Sequence, residues 1–227
     1  RGSVLRGCDT VSGSSRARGR FEVKSQGEWW DGETPEMAFD GQLSTAMKIV
    51  EGFEPLDGQQ IQAKQTILEF AEKHKDSLHR SCPSGHFTGS CWVVNSDASK
   101  GLVLLHAKAQ KWLQPGGHAD GDGRLQAVAL KEALEETGIA DLQVWPRAID
   151  VDVHEVVDKR AKEIVHLHLD VRFLIKAPQS AVARRNHESL DLRWVAREEL
   201  NDPRLALDPS TQRVANYGFA LADQLMH

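Results

Sequence analysis

The sequence predicts an α/β protein, with a sheet between helices and an N-terminal extension ahead of it. Three observations carry this. The run Arg124–Thr137 has helical apolar spacing and stops at Gly138. Two later segments alternate apolar and polar residues with period two, as half-buried strands do. Asp208-Pro209 is an N-cap and N1 pair, and Leu207, Val214, Tyr217, Leu221 and Leu225 then stripe a closing helix.

Residues 1–20 hold five arginines and one acidic residue among Gly and Ser, the composition of a basic flexible tail. Residues 21–83 form the extension. Pro35 to Val50 has room for a short helix. Residues 59–78 read as a longer one, striped by Ile61, Ile67, Leu68, Ala71 and Leu78. From about residue 84 the pattern changes. His86–Val94 reads as a strand entering a core, Asn95–Gly101 as a polar hairpin loop, and Leu102–Ala107 as its apolar partner. Trp112–Pro115 then leads into a glycine-rich acidic loop.

That loop feeds the helix that carries chemistry. At about 100° per residue, Glu136 lies ~40° from Glu132 and Glu135 ~60° to its other side. Like charges so placed repel. A hard divalent cation with oxygen ligands would offset the repulsion. Leu125, Val128, Ala129, Ala133 and Ile139 suit the packed side.

The stretch Gly117, five residues, Gly123, seven residues, Lys131-Glu132-Ala133-Leu134-Glu135-Glu136-Thr137-Gly138-Ile139 resembles the Nudix hydrolase signature G-x5-E-x7-R-E-U-x-E-E-x-G-U, where U is bulky and apolar. The spacing is unbroken over 23 positions. Gly123 stands at the first glutamate, Lys131 at the arginine and Ala133 at the first U. The order of strand, hairpin, WLQPGG and box is also similar to that family. The resemblance implies a Nudix fold, a mixed β-sheet sandwiched between α-helices. It implies hydrolysis of a diphosphate linkage in a nucleoside diphosphate derivative or related diphosphate with Mg²⁺ or Mn²⁺. Glu132, Glu135, Glu136 and the Gly116 carbonyl stand where the family's metal ligands stand. Glu188, ahead of a strand ending in Arg193-Trp194-Val195, matches the region that supplies a general base. Asp120 and Asp122 are candidates to replace the missing loop glutamate.

Downstream, Ile149, Val151 and Val153 alternate with Asp150, Asp152 and His154. Val165 to Phe173 alternate with His166, His168, Asp170 and Arg172. If the strands pair, His and Asp gather on one face. That face is either solvated, as antiparallel sheets allow, or a cleft wall. In the second case His118, His154, His166, His168 and Asp170 would contact substrate or hold a softer cation, on the same side as the carboxylates.

Net charge is −5, and no basic patch points to general nucleic-acid binding. No apolar run reaches the ~20 residues of a membrane span. Cys8, Cys82 and Cys91 lack a CxxC pattern, which fits reduced thiols in the cytoplasm. The expected partner is a small diphosphate, with the extension as a candidate homodimer contact. Two alternatives are a non-catalytic nucleotide-binding sensor and an isopentenyl-diphosphate-type isomerase using Cys91.

Overall fold

Ten consecutive buried residues, Gly85–Val94, form β1, the strand around which the sheet is built. The computed structural model describes residues 28–158 and 163–226. The basic stretch 1–20 and Cys8 lie outside the described residues. In chain order, a 3-10 turn at Pro35–Met37 precedes α1 (Leu43–Glu51) and α2 (Gly58–Lys73). After β1 come β2 (Lys100–His106), β3 (Lys111–Leu113), β4 (Gly116–His118) and α3 (Leu125–Thr137). Then follow β5 (Gln143–Asp158), β6 (Glu163–Lys176), β7 (Ser189–Ala196), a 3-10 turn at Arg197–Asn201 and α4 (Pro209–Met226).

The sheet is mixed. β1 runs parallel to β6, from Gly85 opposite Leu167 to Val94 opposite Lys176. It is antiparallel to β2 and β4. β5 closes antiparallel on β6, with His154 opposite His168 and Asp152 opposite Asp170. β7 and β3 pair with β2.

Strand alternation divides the core in two. Phe87, Cys91, Val151, Leu169, Val171 and Phe173 pack beneath α1, α2 and α3. Trp92, Val94, Leu174 and Val195 pack beneath α4 through Val214, Phe219, Leu221 and Ala222. Trp92 is fully buried, and two glycines make room for its ring. A Cβ would lie 2.0 Å from it on Gly101 and 2.4 Å on Gly218.

Three expectations need correction. The helix of the extension ends at Lys73, and its inward face is Gln60, Ala63, Ile67 and Ala71, with Ile61 exposed. Gln60 turns inward because its amide donates to Asp150 at 2.8 Å, deep in the protein. Ile149 does not share a face with Val151, because the β5 register shifts between Ala148 and Asp150 and puts Ile149 in the α4 core. The charge of Glu155 to Glu163 suggests a hairpin loop there, but β5 runs to Asp158 and β6 starts at Glu163.

The Asp-bearing part of the polar face is not solvated either. Arg172, buried, donates to Asp170 at 2.7 Å and to Asp150 and Asp152 at 2.9 Å each. Arg213 on α4 reaches Asp150 at 3.1 Å and Asp152 at 3.0 Å. Burial opposes charging Arg172, but the three carboxylates outweigh it and hold the guanidinium firmly protonated. Buried charges persist only when paired in this way.

Candidate active site

Helix α3 begins where Asp122 Oδ1 accepts the Arg124 N–H at 2.9 Å. It stops at Gly138, whose φ of 62° is left-handed. Between these ends Leu125, Ala129 and Ala133 are buried against the sheet. A Cβ on Gly89 would lie 2.7 Å from the Leu125 carbonyl, so this glycine lets strand and helix touch.

The three glutamates differ in environment. Glu136 is buried, and its Oε2 accepts the Gly116 N–H at 2.9 Å. Burial pushes its carboxyl up to about 8; the Gly116 N–H opposes this, while Glu132 and Glu188 add to it. Glu132 is raised too, chiefly by burial. It sits against Gly117, where a Cβ would lie 2.4 Å from Glu132 Cδ. Glu135 is more open, with Lys131 Nζ at 3.8 Å from it and 3.9 Å from Glu132. Glu188 sits in the turn before β7, held by Ala107 N–H donating to its carbonyl at 2.9 Å. Its charge is felt by both Glu132 and Glu136. The group on Gly116 that the structure joins to a glutamate is its N–H.

The loop aspartates are engaged elsewhere. Asp120 accepts two hydrogen bonds from Arg80, one of them at 2.7 Å. Asp122 Oδ1 also accepts the Asp40 N–H at 3.2 Å. The reason for Gly123 lies in the extension. Its N–H donates to the Asp40 carbonyl at 2.7 Å, and a Cβ there would lie 2.3 Å from the Gln42 carbonyl oxygen. The extension thus occupies the space a glutamate side chain would need. Restoring glutamate, Gly123→Glu, is expected to push the Asp40–Thr45 segment off the loop. The expected loss is about 1–3 kcal/mol, as for overpacking elsewhere, with no gain in cation affinity. Thermal melting and proteolysis near Gln42 check this; a variant that melts like the parent and binds Mg²⁺ more tightly would refute it.

The imidazoles lie on the other sheet face. Thr88 and Ser90 donate to Asp170 at 2.8 Å each, so the even-numbered residues of β1 face away from α3. His86 and His168 share that side and are register partners, and His118 pairs with Thr88. The expectation of one cleft holding both carboxylates and histidines is therefore corrected. They adjoin across strand β4, with Gly117 toward Glu132 and His118 toward the imidazoles, and Glu188 acts on His118 as well as on Glu132 and Glu136. Asp170 is buried and bound by Thr88, Ser90 and Arg172, so it serves the ion network. His118, His166 and His168 gather around His86, which sequence reasoning missed, and His154 joins them through His168. The signal was present: His86, Thr88 and Ser90 place a polar residue at every second position of an otherwise apolar strand.

Among the described residues no helix is long and apolar enough to cross a membrane. A search of curated proteins finds no match to the chain. Similar solved structures include a NUDIX-family hydrolase from Clostridium perfringens (22% identity, TM-score 0.42, 60% of this chain and 97% of that one). Others are a C. elegans Ap4A hydrolase binary complex (16%, 0.49, 61% and 98%) and the E. coli dihydroneopterin triphosphate pyrophosphohydrolase (15%, 0.41, 57% and 91%). The NUDIX domain family model matches residues 86–215, more than half of the chain and the whole of the box. By that match the chain belongs to the Nudix hydrolase family.

Proposed function

We propose that this protein hydrolyses a diphosphate linkage in a nucleoside diphosphate derivative or related diphosphate, with Mg²⁺ or Mn²⁺ held by Glu132, Glu135 and Glu136. The observation that supports this most is Glu136. This buried carboxylate, fixed by the Gly116 N–H, shares one helix face with Glu132 and Glu135, and Lys131 is the cation beside the latter two. The donor set is oxygen only, which suits a hard cation rather than a soft one. Gly117 supports the same reading, because any side chain there would fill the space beside Glu132.

When bound, such a cation neutralises phosphate charge and orients or activates water. The chain's own residues supply the rest. The Gly116 N–H fixes the Glu136 carboxylate, and Lys131 holds a positive charge beside Glu132 and Glu135. Glu188, whose field reaches Glu132 and Glu136, is our candidate to take the proton from attacking water.

Two observations weigh against the alternatives. Cys91 is fully buried, its Sγ lies 3.7 Å from the Pro115 carbonyl, and burial pushes its thiol well above the ordinary range. A thiol so placed is inert, so nothing supports isomerisation. Gly123 and Lys131, the two departures from the signature, speak for a sensor and the intact Glu132, Glu135 and Glu136 against it; Gly123 has a packing cause in the extension. The test is a panel of nucleoside triphosphates, nucleotide sugars, dinucleoside polyphosphates and 5′-triphosphorylated RNA with each cation. Phosphate or nucleotide release that EDTA abolishes is expected for at least one class. Binding without release across the panel would overturn the enzyme reading in favour of a sensor.

A further inference from the structure

Five imidazoles crowd one end of the sheet, on the face away from the glutamates. His86 is 3% exposed, and neither of its ring nitrogens makes a hydrogen bond of good geometry, the Cys82 backbone being its weakest electrostatic neighbour. A buried polar group left this way costs free energy, on the order of 1–3 kcal/mol, unless something else takes up its lone pair. His166 and His168 stand beside it, with ring centroids 4.7 and 5.1 Å from that of His86. One ring nitrogen from each of the three lies within 4.8 Å of the others. His118 approaches from β4, its centroid 4.9 Å from His86 and 5.2 Å from His168.

We infer that His86, His166 and His168 form a site for a borderline divalent transition cation of the zinc type, distinct from the carboxylate site on the other face of β4. Imidazole nitrogen is the ligand class such cations prefer and Mg²⁺ does not. The surrounding groups prepare the ligands. His168 Nδ1 lies 3.3 Å from His154 Nε2, and His154 Nδ1 lies 3.7 Å from the Asp152 carboxylate. A proton on His154 Nδ1 and another on His168 Nδ1 satisfy that line. They leave His168 Nε2 as an acceptor 3.2 Å from His166 Nε2, where the two rings share one proton that a bound cation would displace. Ligating histidines are commonly oriented by such a partner on the other nitrogen. Arg80, the nearby cation, is already paired with Asp120. His166 and His168 are only partly buried, so the site opens to solvent and keeps a position for water, His118 or a phosphate oxygen.

Because it uses none of Glu132, Glu135 or Glu136, this site stands whether or not the proposed hydrolysis is correct. The experiment is titration of metal-free full-length protein with Zn²⁺ and, as a spectroscopic probe, Co²⁺. About one equivalent is expected to bind, to raise the melting temperature reversibly to EDTA, and to give Co²⁺ visible bands of a nitrogen-liganded tetrahedral or five-coordinate ion. The Glu132→Gln/Glu135→Gln protein should keep this binding. His166→Ala, at a partly exposed position, should weaken it at least ~tenfold, the scale of losing support for a metal ligand. His187→Ala, on an exposed turn, is the control and should change nothing. Wild-type protein showing neither a melting shift nor Co²⁺ bands would overturn the inference, whatever the variants do. So would binding that survives His166→Ala but disappears with the carboxylates.

Discussion

The Glu136→Gln protein is expected to fold as the parent does and to lose about 10²–10⁴-fold in kcat/KM, the rate equivalent of roughly 3–5 kcal/mol of transition-state stabilisation. Folding should survive because the glutamine oxygen still accepts the Gly116 N–H and because the substitution removes a charge the interior resists. Activity should not survive, because the neutral amide cannot supply the charge a cation requires. Glu135→Gln should behave similarly, and with even less effect on melting, since that side chain is exposed. Steady-state kinetics at saturating Mg²⁺ and Mn²⁺, read beside thermal melts, decide the matter. Parental rates in both variants would mean that chemistry happens somewhere else.

Arg172→Leu is expected to destabilise the protein by about 3–5 kcal/mol, the usual cost of breaking a buried ion pair from one side. For a chain of this size that is a fall in melting temperature on the order of 10 °C. Asp170 would keep the Thr88 and Ser90 hydroxyls, and Asp150 and Asp152 would keep Arg213. No other guanidinium reaches all three among the described residues. The defect should narrow at lower pH. In the parent, burial raises Asp152, but His154 and Arg172 outweigh it and hold its carboxyl well below the ordinary range, so stability is lost as pH falls through that depressed value. In the variant Asp170 loses its one guanidinium and keeps only hydroxyl partners, so protonating it at low pH removes a buried uncompensated charge and narrows the defect. Equal melting temperatures at neutral pH would remove the network from any account of stability.

The sequence disclosed what is local. The box helix, its glycine stop and the carboxylate face follow from spacing over a few turns, and α3 starts and ends within a residue of the reading. The capping pair before α4 was legible for the same reason, with Asp208 accepting the Thr211 N–H at 2.8 Å. The two long strands were found by alternation, and their pairing register brings His154 to His168 as their polar faces required. What stayed hidden depends on partners far along the chain. Nothing near Gly123 announces that Asp40 and Gln42 sit on it. Nothing near Gln60 announces Asp150. The polar alternation of β5 and β6 reads the same whether water or α4 covers it. Only the covering helix, with Arg213 and Phe219, turns the Asp half inward and leaves the imidazole half at the opening. Strand β4, three residues with two glycines, has no side-chain pattern to recognise.

The knot around Asp150 has a consequence for biosynthesis. Gln60 bonds to a residue 90 positions later, Asp150 to Arg213 63 positions later still, and Asp57 accepts from Tyr217 across 160 positions. A chain emerging N-terminus first from the ribosome presents α2 long before its polar partners exist. Asp150 then arrives before the arginine on α4 that helps neutralise it. These bonds between α2, β5 and α4 can close only once α4 has been made. The early helix therefore waits, half-satisfied, until the residues of α4 have left the ribosome.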